Sequence, residues 1–518
     1  MRDWLRLGRL AGTFLRATSG PRLRAIQAWR EKPLPTQERL LLDLCRKAAR
    51  TRFGREHGFA GVRSVREFQD NVPLRTYLEF KPYWDTLLEG ETDVTWPGRI
   101  ERFALTSGTT AGNKYIPLSD EGVRSQRRAG RDIVNFYLEQ SGDTALFGGK
   151  FLFLGGSTEL VRLPSGALAG DLSGIMACRM PRYANLFRLP SPSIALMGDW
   201  EKKLDAMAEE AERSDVRGVS GTPSWVFCLF EQVMERRRAR GRSVETVADV
   251  WPEFRLLVHG GVNYEPYRES MRHLLGKAVH ALEVYPASEG FIGIQDRLDA
   301  NDMLLMMDTG LFYEFVPREE IASDAPRRFT VADVETGVDY AIVLSTNSGL
   351  WGYVLGDTVR FTSLRPHRLR VTGRIAHFLS AFGEHLISEE VEAAVAGACR
   401  TAGAEIRDFH VAPIYPDQNT PRPAHQWFVE FVKPPADEHE FIAEVDRRLQ
   451  RRNDDYAAHR QGDAGMSAPL LTTVPKGGFR RAMKRIGKLG GQNKVPRLRN
   501  DREFADVLAQ CMDEGQKP

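Results

Sequence analysis

No two cysteines in this chain stand in Cys-x-x-Cys spacing, and no His/Cys group has the spacing of a zinc site. The five cysteines, Cys45, Cys178, Cys228, Cys399 and Cys511, are scattered. That argues against a disulfide framework and fits free, mostly structural thiols in a reducing, cytoplasmic setting. Long apolar runs are missing too: nothing approaches the ~20 uninterrupted apolar residues that span a bilayer. Near the N-terminus Trp4, Leu5, Leu7, Leu10, Phe14 and Leu15 are interrupted by Arg2, Arg6, Arg9 and Arg16, which break any signal-peptide core. This stretch reads as a basic amphipathic helix packed on its own domain, with contact at a membrane surface as the alternative. Excess charge is also lacking. The 72 Lys+Arg and 69 Asp+Glu leave a net charge of +3, which argues against a dedicated nucleic-acid binder. Internal repeats and low-complexity tracts are absent.

What is present is a globular composition, 42% hydrophobic and 27% charged, in a chain of 518 residues, too long for one ordinary core. A helix is expected over 36–51, with Leu40, Leu41, Leu44 and Ala48 on one face. Helical pieces separated by Pro73 and Pro82 are expected over 64–90. Ser119-Asp120-Glu121 has the form of a helix start, a hydroxyl cap followed by acids. From there to about 285, short apolar runs alternate with helical patterns and glycine-rich turns, as in an α/β domain of mostly parallel strands. From about 331 the pattern becomes β-rich, and after Gly373-Arg374 a compact α+β unit follows. The expected architecture is α/β: a large N-terminal domain over 1–375 with parallel-rich sheets and a β-rich subdomain, plus a small α+β domain over 376–518.

Four short segments carry chemistry. The first is Thr106-Ser107-Gly108-Thr109-Thr110-Ala111-Gly112-Asn113-Lys114, after the strand-like Phe103-Ala104-Leu105. Hydroxyls, bare N–H groups and a lysine suit phosphate oxygens. The spacing is not that of a Walker A loop. The second, Tyr285-Pro286-Ala287-Ser288-Glu289, follows a strand; an aromatic can stack on a purine, a hydroxyl can reach phosphate and a carboxylate can hold Mg²⁺. The third, Tyr353-Val354-Leu355-Gly356-Asp357, places an acid after a glycine, where it suits the hydroxyls of a ribose. The fourth is Gly373-Arg374, nine residues before Gly383, an arginine for ribose or phosphate beside glycines that frame a hinge. Taken singly, each of the four reads as a polar turn.

In this order and at these separations they resemble the acyl-adenylate-forming superfamily, which includes acyl-CoA synthetases, peptide-synthetase adenylation domains and beetle luciferases. The flanking stretches Thr51 to Phe59, Val72 to Tyr77, Asn453 to Arg460 and Gln492 to Arg497 resemble one branch of it, the acyl acid-amido synthetases known from plants as auxin- and jasmonate-conjugating enzymes. By that resemblance Ser107, Thr109, Thr110 and Lys114 bind phosphate, Tyr285 adenine, Ser288 phosphate, Glu289 Mg²⁺, and Asp357 and Arg374 the ribose. Lys494 matches the C-terminal-domain lysine that reaches the adenylation site, with Lys476 and Lys488 as competitors. Ala287, Val354 and Ala376 depart from residues that relatives often carry, which touches details of phosphate contact and hinge rather than the assignment.

The implied reaction has two halves. A substrate carboxylate attacks the α-phosphorus of ATP, giving an acyl-adenylate and pyrophosphate, with Mg²⁺, loop N–H groups and a lysine stabilising the charge. Ser107 is accordingly a phosphate ligand rather than a nucleophile. An amine, by resemblance that of an amino acid, then displaces AMP after the small domain swings about 373–376. His259, His377 and His385 stand as candidate bases. Val219 to Pro223, Gly260-Gly261-Val262 and Phe312-Tyr313 are the acyl-pocket candidates, Val219, Gly261, Phe312 and Tyr313 foremost. The rival readings are an acyl-CoA ligase or carrier-protein loader using the same first step, and a catalytically inactive nucleotide-binding protein.

Overall fold

A computed structural model describes residues 2–107, 113–155, 160–178, 186–262, 264–375, 378–379, 384, 386–415, 423–453, 456–457, 460, 466–490 and 494–514. The chain forms two compact units. One comprises Met1–Gly221, Trp251–Gly261 and Val279–Arg370; the other comprises Thr222–Val250, Val262–Ala278 and Val371–Pro518. The second unit therefore opens its last segment ahead of residue 376. It also takes up the helices Pro223–Ala239 and Arg268–Leu275, which the sequence reading had assigned to the large domain.

The first unit is built on an eleven-stranded mixed sheet. In one half Lys150–Phe153, Val216–Gly221, Leu256–Gly260 and His280–Pro286 lie side by side in parallel, with Arg188–Leu189 at the edge. The residues Leu256, Leu257 and Val258 are buried without alternation, as expected of a strand covered on both faces. At Phe291–Ile294 the direction reverses, and that strand pairs antiparallel with His280–Pro286 and with Met303–Leu305. Beyond it lie His367–Arg374, Tyr353–Leu364, Asp339–Thr346 and Leu311–Pro317. The parallel half and the later β-rich region match the sequence reading; Met303–Leu305 and Leu311–Pro317 were not foreseen as strands.

The helices follow local signals. Pro33–Ala48 starts on a proline, whose missing N–H has no partner there in any case. Asp120–Ser141 starts where expected: Ser119 Oγ accepts from the Gly122 N–H at 2.9 Å. One expectation is corrected. The helix Tyr77–Glu89 runs straight through Pro82. The bond that the proline deletes is to the carbonyl of Leu78, an exposed residue, and the buried Phe80, Trp84 and Leu87 hold the helix on its core. The N-terminal helix Arg2–Glu31 packs on its own unit through buried Ile26 and Trp29. Arg22 bridges Asp132 and Asp308, and Arg30 reaches Asp296 at 2.6 Å. Among the described residues no helix is long and apolar enough to cross a membrane.

An aromatic core backs one side of this unit. Trp351 receives Phe59 edge-on at 4.6 Å, and Phe53, Phe68 and Trp96 close around it. In the second unit Glu405–Ile414 and Ala424–Lys433 pair antiparallel, Leu470–Thr473 adds in parallel, and helices Ser388–Ala402 and Glu438–Gln450 cover them.

Candidate active site

The hydroxyl-rich segment begins on one strand and ends on its antiparallel neighbour. Strand Arg102–Ser107 runs antiparallel to Asn113–Pro117, with Thr106 opposite Lys114 and Ser107 opposite Asn113. Residues 108–112, among them Thr109 and Thr110, lie outside the described residues, as does the side chain of Ser107. Lys114 Nζ stands 5.3 Å from the centre of the Tyr77 ring, within cation–π range. The Tyr77 hydroxyl accepts from the Tyr115 N–H at 3.0 Å, which ties the hairpin to helix Tyr77–Glu89.

The second segment ends the last parallel strand, at the place where the sheet changes from parallel to antiparallel. A turn follows, with Ala287 N–H donating to Gly290 O at 2.9 Å and Gly290 N–H to Ala287 O at 3.1 Å. Gly290 has no room for a side chain: a Cβ would come within 2.3 Å of Leu311 Cδ2. Gln126, on the helix that follows the hairpin, donates to Ala287 O at 3.0 Å. Hairpin, helix and turn are thereby joined. Ser288 is half-buried in the same turn.

The second and third segments meet through two phenols. Tyr285 Oη donates to Asp357 Oδ2 at 2.5 Å. In the reverse direction, the buried Tyr353 phenol donates to the Glu289 carboxylate. Burial, and then the Glu289 charge, hold that phenol well above the ordinary tyrosine range, so it stays a donor. Each segment lends a hydroxyl to the other's acid. A carboxylate has about four lone-pair sites, so one such bond orients it and leaves capacity for a sugar hydroxyl or a cation. The strand start is held from behind: Arg75 N–H donates to Gly352 O at 2.9 Å and Val354 N–H to Arg75 O at 2.8 Å. The stretch 72–77, singled out in the sequence, is therefore the brace of the third segment.

The remaining candidates divide. Gly261 is exposed, with φ of +84°, just past the strand Leu256–Gly260, whose His259 is buried. Val219 is fully buried inside its strand. Phe312 and Tyr313, read as pocket residues, are core. Phe312 packs on Phe68 at 6.1 Å, and Tyr313 donates its hydroxyl to Met306 O at 3.0 Å. Arg374 and Lys494 belong to the second unit and are exposed. Lys476 Nζ is 3.9 Å from Glu235, and Lys488 is half-buried. Ala376, His377 and His385 lie outside the described residues. Of the late stretches, Arg497 is structural: it pairs with Asp408, donates to Tyr267 Oη and lies 4.4 Å over the Phe409 ring.

Two further residues were not singled out in the sequence. Phe153 is 43% exposed at the end of its parallel strand, opposite Ser220, and ligands of open α/β sheets lie beyond such strand ends. Its signal was the run 151–154 stopping at Gly155. Asp171 follows Gly170, which is level with Ala104 on the strand that enters the hairpin turn. Burial pushes its carboxyl up to about 6 and the Lys203 ammonium down to about 8. A lone Asp before a short helix gave no sign of that in the sequence.

Among the described residues no cluster of three or more His, Cys, Asp or Glu is arranged to hold a metal by itself. A single carboxylate such as Glu289 suits Mg²⁺, which keeps waters and is completed by nucleotide phosphates.

The comparisons with known proteins point the same way. The GH3 family N-terminal domain matches residues 22–280, the central domain 304–374 and the C-terminal domain 389–503. A jasmonoyl–L-amino acid synthetase, JAR4 of Nicotiana attenuata, is 22% identical over 62% of this chain and 66% of its own length. The indole-3-acetic acid-amido synthetase GH3.8 of Oryza sativa subsp. indica is 24% identical over 72% of each. In fold, the chain is similar to a GH3.15 acyl acid amido synthetase, with a TM-score of 0.77 at 17% identity over 94% of this chain and 95% of that one. It is also similar to a 2-hydroxyisobutyryl-CoA ligase, with a TM-score of 0.59 at 13% identity over 92% and 91%. With three consecutive domain models matched along its length, the chain belongs to the GH3 family.

Proposed function

We propose that this chain is an ATP-dependent acyl acid-amido synthetase that adenylates a carboxylic acid and passes the acyl group to an amine, that of an amino acid. The observation that carries the reading is the reciprocal pairing of Tyr285 with Asp357 and of Tyr353 with Glu289, at the end of the parallel strands and beside the hydroxyl-rich hairpin. Tyr285 takes the adenine side. Asp357 holds the ribose hydroxyls, aided by Arg374. Ser107, Thr109, Thr110, Lys114 and Ser288 receive the phosphates. Glu289 would hold Mg²⁺, which when bound neutralises charge on the phosphate oxygens.

The substrate carboxylate attacks the α-phosphorus, and Lys494 stabilises the charge that grows there. The acid lies beyond the strand ends near Gly261 and Phe153. The small domain, beginning near 376, turns about 373–376 between adenylation and amide formation. All five cysteines are free, in keeping with a cytoplasmic enzyme.

The test is carboxylate-dependent ATP–pyrophosphate exchange across a panel of acids, followed by product identification by mass spectrometry with either an amino acid or CoA as acceptor. An amide with AMP release is the expected product. A thioester would make the chain an acyl-CoA ligase, and no exchange with any acid would leave a nucleotide-binding protein without catalysis.

A further inference from the structure

On the first unit, the near end of the hairpin strand Arg102–Ser107 borders a cavity of about 280 Å³. It is lined by Arg99, Arg102, Arg162, Ser165 and Glu101, together with residues 166–168. Three guanidinium groups face one carboxylate. Arg102 is already committed, with Nη1 at 2.8 Å from Asp120 and Nη2 at 3.0 Å from Glu101. The other two are not neutralised: Arg99 donates to Ser165 O and Arg162 to Gly166 O at 3.2 Å, and among the described residues neither pairs with a carboxylate. The Ser165 hydroxyl is buried and has no partner among the described residues. Two forks and a hydroxyl that have no carboxylate or hydrogen-bond partner, respectively, among the described residues stand around a small cavity and form a recognition surface for negative charge, because guanidinium matches carboxylate and phosphate in two-pronged geometry.

We propose that this cavity is a binding site for a small polyanion, a phosphate or pyrophosphate group or a short dicarboxylate, separate from the nucleotide site. Its volume lies at the lower edge of the range for drug-sized ligands, which begins at roughly 300 Å³, and suits a small anionic group. The strand beside it runs six residues to the hydroxyl-rich turn, roughly 17 Å at the ~3.3 Å rise of a strand. The strand Leu168–Gly170, whose Leu168 lines the cavity, pairs with that same strand. An anion drawn in by Arg99 and Arg162 would clamp the turn 163–166 to this strand. Occupancy is thereby coupled to the stiffness of the hairpin that presents Ser107 and Lys114.

The experiment is isothermal titration of the full chain with inorganic phosphate, pyrophosphate and malonate in ~0.15 M salt, with ATP present to occupy the nucleotide site and acid omitted to prevent turnover. At least one anion is expected to bind below millimolar concentration, and which of the three does so assigns the ligand class. In the Arg99→Gln/Arg162→Gln double variant that affinity drops at least tenfold, while circular dichroism and ATP titration stay as in the parent, since both side chains are exposed and among the described residues donate to backbone carbonyls alone. Ser165→Ala weakens the same binding a few-fold. No binding of any of the three anions, or equal affinity in the double variant, overturns the proposal. Neither result bears on acid adenylation.

Discussion

Tyr285 and Asp357 are 72 residues apart in sequence, yet the phenol of one donates to the carboxylate of the other at 2.5 Å. The length is that of a charge-assisted bond. It fixes the acid's plane relative to the tyrosine ring, and under the proposed function that would hold adenine and ribose in one rigid arrangement. Asp357→Ala is expected to weaken ATP affinity by roughly 10- to 100-fold, as for loss of a charged hydrogen bond of ~1.5–3 kcal/mol, without changing which acids are accepted. Tyr285→Phe keeps the ring and loses only the orienting bond, and less than about tenfold is expected. ATP titration of both variants checks this, and a normal titration for Asp357→Ala removes it from the ribose site.

Lys494 is exposed and lies outside the helices and strands; under the proposed function it serves adenylation. Lys494→Ala is expected to slow adenylate formation by roughly 10²- to 10³-fold, the loss typical of one electrostatic stabiliser, with little change in ATP binding. Pyrophosphate exchange set against ATP titration separates the two. Unchanged exchange kinetics would move the role to Lys476 or Lys488.

How far the sequence could be read is clearest residue by residue. Tyr285 was legible because a distinctive chemical type falls at a strand end, and Asp357 because it is an acid directly after a glycine, although it lies within the strand Tyr353–Leu364 rather than at its end. The other half of the pairing was not. Tyr353 looks like any apolar strand residue until the fold sets it against Glu289. Phe312 and Tyr313 misled because a strand buried on both faces shows the same unbroken apolar run as a pocket wall. The buried Glu314 between them and Phe315 finds its partner Arg328 at 2.8 Å on another segment, which no spacing reveals. The helix Pro223–Ala239 shows an apolar face in sequence, but an amphipathic pattern tells only that a face is covered, not which unit covers it.

Arg497 illustrates a family-like stretch whose role is mechanical. Its guanidinium meets Asp408, the Phe409 carbonyl and the Tyr267 hydroxyl while lying on the Phe409 ring. Arg497→Leu leaves Asp408 buried and unpaired, and a loss of about 3–5 kcal/mol in the second unit is expected. Arg497→Lys is not a rescue, because an ammonium cannot serve all three partners in the plane of the fork. Asp408→Asn in the Leu background should recover part of the loss. Urea unfolding followed by a probe in the second unit measures all three; an Arg497→Leu chain as stable as the parent would show the cluster to be dispensable.

His410 gives the second unit an acid-sensitive point. Its Nδ1 lies 2.7 Å from Pro496 O, so that nitrogen carries the proton and donates. The Nε2 side is buried with no partner among the described residues, between the rings of Phe428 and Phe504. Burial first, with Arg499 and Arg497 adding to it, outweighs the Pro496 bond and Asp501 and pushes the imidazole down to about 4 from 6.5. The folded chain therefore resists a proton that the unfolded chain accepts. Above pH ~6.5 both are neutral and the group has no effect on stability. As pH falls from there toward 4, only the unfolded chain protonates, and stability drops by roughly 3 kcal/mol in all at ~1.36 kcal/mol per pH unit. His410→Phe removes the titration but also the bond to Pro496 O. The variant is expected to be less stable at pH 7.5, by about 1–3 kcal/mol, with a shallower loss between pH 6.5 and 4.5. Urea midpoints at three pH values for both chains decide it: the same slope in the variant would assign the acid sensitivity to another group.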